Sequence, residues 1–89
     1  MHVSARVDYG TRALVELAEA WSRDPAHLTK GDEIAGSQGI PAKFLEGILR
    51  QLRQAGLVVS QRGAEGGYRL ERSPDSISIA DVVRALDGP

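Results

Sequence analysis

The sequence contains no cysteine. That excludes a disulfide framework and any thiolate-ligated metal site built from these 89 residues. Small secreted domains often need such staples, so the expected setting is the cytoplasm. No apolar run is long enough to span a bilayer, so no membrane partner is expected. The opening residues MHVSARVDYG lack the charged-then-apolar pattern of a signal peptide. No nucleophile is paired with a base, and His2 and His27 stand isolated, so neither an enzyme nor a metal site is expected. There is also no excess of charge of one sign. The formal net charge is −1, which taken alone argues against a nucleic-acid partner.

What is present changes that reading. A length of 89 residues implies one domain, residues 1–89, with one modest core. Hydrophobic residues at 42% and charged residues at 26% are ordinary for a globular chain. The charge is unevenly placed. Between Lys43 and Arg72 lie six basic residues (Lys43, Arg50, Arg53, Arg62, Arg69, Arg72) and three acidic ones (Glu46, Glu65, Glu71). This middle segment is therefore +3 and the remainder −4. A phosphate partner responds to the local field rather than to the total.

Periodicity gives the elements. Val7, Leu14, Leu17, Ala18 and Trp21 share one face of a helix predicted from Ser4 to Ser22, with Ser4 as N-cap and Asp24-Pro25 as its end. Thr29 is the expected cap of a short second helix, with Asp32 as a capping-box partner and Ile34 and Ala35 facing inward. Gly36 and Gly39 are expected to bracket a turn. A third helix starts at Pro41, which suits the first helical position, and stops before Gly56. Its apolar stripe is Phe44, Leu45, Ile48, Leu49 and Leu52. LVVSQ and GYRLER read as two antiparallel strands. A last helix begins at Ser78, with Asp81 completing the cap and Ile79, Val82, Val83 and Leu86 at i, i+3, i+4, i+7. The fold class is mainly α with a small β-hairpin. The order helix, helix, helix, strand, strand, helix is that of a winged helix-turn-helix domain.

Two sites carry the functional question. The first is QRGAEGGYRL, residues 61–70. A phosphate-cradling glycine loop leads from a strand into a helix, and a P-loop ends in Lys-Ser/Thr. Here the glycines lead into Tyr68-Arg69-Leu70, a strand pattern, so the nucleotide reading fails on context. As a hairpin tip, Gly63, Gly66 and Gly67 allow positive φ and close backbone approach. Arg62 then projects from the tip, suited to a narrow minor groove. The plainer reading is a solvated arginine beside an ordinary turn. The second site is the polar face of the third helix: Lys43, Glu46, Gly47, Arg50 and Arg53. A carboxylate facing DNA is tolerated where it accepts from a base amino group such as cytosine N4. Glu46 reads either that way or as a solvated i,i+4 partner of Arg50, and both readings stay open. Gly47 fits close approach to another surface, or packing against the first helix.

VDYGTRALVELA, EIAGSQGIPAKFLEGILRQLRQAGLV, QRGAEGGYRL and SISIADVVRALDGP together cover nearly the whole chain. In that order they resemble the N-terminal domain of the IscR/NsrR/CymR-type (Rrf-type) bacterial winged-helix regulators. The resemblance implies a repressor, a homodimer on a pseudo-palindromic operator in double-stranded DNA. It places the third helix in the major groove and Arg62, beside Gly63, in the minor groove. It assigns base reading to Glu46, with Arg50 beside it, and backbone contact to Ser4 and Tyr9. Pro41 and Lys43 stand at helix-start contact positions where relatives often carry small hydroxyl residues. Ala64-Glu65 replaces a glycine or proline found at many wing tips, and Glu65 near phosphates is unfavourable.

Relatives continue past DGP with three cysteines and a dimerisation helix, and several hold an iron–sulfur cluster. Asp8 matches an acidic cluster ligand in some of them. With no cysteine, no cofactor is expected in this chain, and self-association is expected to be weak without that helix. The rival function is a winged helix used for protein contacts without DNA.

Overall fold

The computed structural model describes residues 3–88; His2 lies outside them. Helix α1 spans Ala5–Arg23, α2 Gly31–Gln38, α3 Ala42–Gln54 and α4 Ile79–Asp87. Strands β1 (Val58–Gln61) and β2 (Gly67–Leu70) form an antiparallel hairpin in which Val58 faces Leu70 and Gln61 faces Gly67. A short 3₁₀ turn, Pro74–Ser76, leads into α4. This is a winged helix-turn-helix, in the expected order. None of the described helices is long and apolar enough to cross a membrane.

The caps follow the sequence at two helices. The Ser4 hydroxyl accepts the Val7 N–H, and Ser78 with Asp81 forms the reciprocal capping box. Pro41 lies one position earlier than expected, just before α3, and its carbonyl accepts the Leu45 N–H at 2.9 Å. Leu17, Ile34, Leu45, Ile48, Leu49, Leu52, Val58 and Leu70 are almost fully buried in one core. Three helices and the wing thus close on the inner face of α3. Its polar face is left over by elimination.

Two further expectations fail. Thr29 does not cap α2, which begins after Lys30 with no side-chain cap. Thr29 is instead buried and paired with Tyr68, each N–H donating to the other's carbonyl at 2.8 Å. A backbone ladder satisfies both its polar groups, which a hydroxyl cap would not. Gly36 lies inside α2; Gly39 alone, with φ 65°, ends the helix. On α4, Val82 and Leu86 are buried, while Ile79 and Val83 are 63% and 38% exposed.

Candidate nucleic-acid interface

The outer face of α3 carries Lys43, Glu46, Arg50 and Arg53, all exposed. Arg50 Nη2 lies 3.5 Å from Glu46 Oε1, so the i,i+4 pair forms. Gly47 sits among them, and a Cβ added there would meet nothing within 4 Å. That removes packing against α1 as the reason for glycine. The space lies on the outer side of the helix.

The wing rises beside this face. Gly63 and Gly67 adopt φ 100° and 151°, as a glycine-dependent reversal requires. Gly66 has no positive φ; it is needed for room, since a Cβ would collide with the Gln61 and Arg62 backbone. Arg62, Ala64 and Glu65 are exposed at the tip. Between α3 and the wing runs a groove of about 380 Å³. Lys30, Glu46, Arg50, Arg53, Arg62 and Tyr68 line it with the backbone of Gly63, Gly66 and Gly67. Four cations thus face one carboxylate.

The basic middle segment contributes less than its composition implies. Arg69 Nη1 donates to the Leu70 carbonyl at 3.2 Å. Arg72 donates to Ser76 Oγ at 3.1 Å and lies 3.5 Å from Asp81. Neither arginine lines the groove, and Arg72 ties the wing's end to the turn before α4. Lys30, from outside the segment, takes a place there. Its Nζ donates to the carbonyls of Gly63, at 3.4 Å, and Ala64. Composition gave no sign of this contact, which joins residues 33 and 34 positions apart.

Residues 3–89 match the Rrf2 family, described as an iron-dependent transcriptional regulator. The chain belongs to the Rrf2 family. It is 51% identical over 89 residues to a Mycobacterium tuberculosis protein named as an HTH-type transcriptional regulator, Rv1287, and covers 53% of it. It is 39% identical to the HTH-type transcriptional regulator CymR of Bacillus subtilis, over all of this chain and 62% of CymR. The solved structure of B. subtilis CymR, titled the global cysteine regulator, superposes on the whole chain with a TM-score of 0.88 at 38% identity, over 67% of that chain. T. potens IscR superposes with a TM-score of 0.84 at 40% identity, covering 97% of this chain and 61% of its own. The chain spans about half the length of the M. tuberculosis relative.

Within this Rrf2 fold the expected contact residues fall into two groups. Glu46, Arg50, Arg62 and Gly63 line the groove together. Ser4, Tyr9, Pro41 and Lys43 are not among its lining residues. Pro41 and Lys43 are exposed at the start of α3. Tyr9 packs edge-on against Phe44 in the first turn of α3, with ring centroids 5.5 Å apart. Arg6 lies over the Phe44 ring and Arg12 over Tyr9, at 5.7 and 4.8 Å. These two cations were not foreseen; only the aromatic neighbours shared across α1 and α3 reveal them. The Ser4 hydroxyl is engaged in its cap and donates to Asp87 at 2.9 Å.

The Rrf2 description as iron-dependent raises the question of a metal site. Asp8 is ion-paired with Arg12 at 3.4 Å. The chain has no cysteine, and the described residues hold no cluster of three or more His, Cys, Asp or Glu side chains suited to a metal. The residues present do not fit an iron–sulfur group.

Proposed function

We propose that this chain is the sequence-specific DNA-binding domain of a transcriptional regulator, a repressor that acts in the cytoplasm by occupying a promoter. The observation that carries the reading is the shared groove: the polar face of α3 and the Arg62 tip open onto one cation-rich surface. In this reading α3 enters the major groove, where Glu46 accepts from a base amino group. Arg62 reaches the adjacent minor groove. Lys43, Arg50 and Arg53 supply phosphate contacts, with Pro41 fixing the approach of the helix start. Ser4 and Tyr9 approach the flanking backbone. Two copies bind a pseudo-palindromic operator. The names of the relatives, HTH-type transcriptional regulators, support this reading over a protein-only winged helix. The proposed contact draws on no cofactor.

Binding-site selection from a random duplex pool tests it. The expected result is enrichment of one consensus with two related halves. A pool that stays random after repeated rounds contradicts it.

A further inference from the structure

The wing is a hairpin of two four-residue strands, and a lone two-stranded hairpin is marginal in water. Two tethers hold it. On the tip-side half of the ladder, Thr29 adds a bridging pair to Tyr68, which itself pairs with Ser60. Gly67 permits this contact, since a Cβ there would stand 2.7 Å from the Thr29 carbonyl oxygen. At its tip, the Lys30 ammonium donates to the carbonyls of Gly63 and Ala64. Adjacent residues thus hold the outer part of the wing, one on the strand and one on the tip, just before α2 begins at Gly31.

We propose that Lys30 is a positioning residue for DNA recognition: it ties the wing tip to the helix-turn-helix and sets the offset between Arg62 and Glu46 before DNA arrives. The inference rests on the DNA-binding reading above. Both tip carbonyls lie beyond the hairpin ladder, whose register ends at Gln61 and Gly67; that of Gly63 already accepts the Gly66 N–H at 2.9 Å and has a second lone pair free for Lys30. An ammonium offers three donors and no acceptor, which suits a pair of converging carbonyls. Among the described residues no carboxylate is ion-paired with Lys30. Fixing the tip in advance removes part of the ordering cost that a glycine-rich loop would otherwise meet on binding. Because the tether acts on geometry, it favours operators whose two groove contacts have the matching offset. It adds little on random DNA.

Lys30→Met keeps an unbranched stem and removes the donors. Two readouts are compared with the wild type and with Lys30→Arg, which restores donors. The first is amide exchange of Gly66 in the free chain, whose N–H donates within the tip to the Gly63 carbonyl at 2.9 Å. The second is affinity for the selected operator and for random duplex across a salt series. The expected result for Lys30→Met is faster Gly66 exchange and operator binding weakened roughly fivefold more than random binding, with Lys30→Arg near wild type. An equal loss on operator and random duplex, with a salt slope lowered by about one, overturns the inference, because it marks Lys30 as a phosphate contact alone. Unchanged Gly66 exchange or an unchanged operator preference also overturns it. A wild-type chain that prefers no sequence overturns the DNA reading itself and this inference with it; that failure is distinguished by appearing before any substitution.

Discussion

Arg50 Nη2 sits 3.5 Å from Glu46 Oε1, one helical turn along the open face of α3. The two side chains are 54% and 65% exposed, so the pair contributes only about 0.2–0.5 kcal/mol. A good base contact discriminates by roughly 1–3 kcal/mol. Bound DNA can therefore draw Glu46 away from Arg50 at small cost, so the ion pair and the base-reading role are compatible. Glu46→Ala is expected to change stability by less than about 0.5 kcal/mol. Base choice should relax more than affinity falls. Selection with the variant should flatten one position of each half-site; an identical consensus would count against base reading by Glu46.

Arg62→Ala should weaken operator binding most where the flanks are A·T-rich, since a narrow minor groove concentrates negative potential. The slope of log K against log salt should drop by about one. Affinity unchanged on every duplex would show that the wing tip does not touch DNA.

Gly47→Ala separates folding from recognition. A Cβ at this position meets open space, and alanine is the better helix former by about 1 kcal/mol. Urea denaturation should show a gain of that order. Operator affinity should fall if the glycine serves close approach to the major groove. A stabilised protein with undiminished affinity would leave Gly47 with no recognition role.

Gly67→Ala meets both a φ of 151° and the Thr29 carbonyl. The expected cost is about 2 kcal/mol, or roughly a 10 °C drop in Tm. An unchanged Tm would mean that the Thr29 bridge does not hold the wing.

Asp81 carries the pH dependence. Its pKa is held below the ordinary carboxylate value, first by the Ser78 backbone N–H, which donates to it at 2.9 Å. Burial opposes this, and the Ser78 hydroxyl and the charges of Arg84 and Arg72 add to the lowering, so the net direction is down. A depressed native pKa means that the unfolded chain binds more protons as acid is added. The stabilisation is therefore complete above the unfolded value near about 4 and is lost as pH falls through the native value. Asp81→Asn should be less stable than wild type at neutral pH, and the difference should shrink below about pH 4. Denaturation curves across that range check it; a constant difference would assign the effect to something other than charge.

Much of this fold was legible because its signals are local. Ser78 and Asp81 announce a cap three residues apart, and Leu45, Ile48, Leu49 and Leu52 announce a buried stripe. Glu46, Arg50 and Arg62 could be placed because helix period and hairpin reversal fix which way they project. The misses are non-local. Thr29 looked like a cap because a single bridging residue has no alternation to betray it; Tyr68, its partner, lies far along the chain. The Lys30 tether is hidden for the same reason. Ile79 and Val83 fit the helical period of α4, yet periodicity marks an apolar face without saying how much of it a neighbour covers. Arg69 and Arg72 counted toward a basic surface, and only their hydrogen bonds show that they are engaged elsewhere.

The central claim is that the outer face of α3 and the wing form one cationic surface that meets DNA. Fluorescence anisotropy of a labelled duplex, titrated with the chain over a salt series, tests it most directly. The account predicts binding at low salt that weakens steeply and linearly in log salt, with the selected operator retained longer than random sequence. No binding at low salt, or an affinity indifferent to salt, would contradict it.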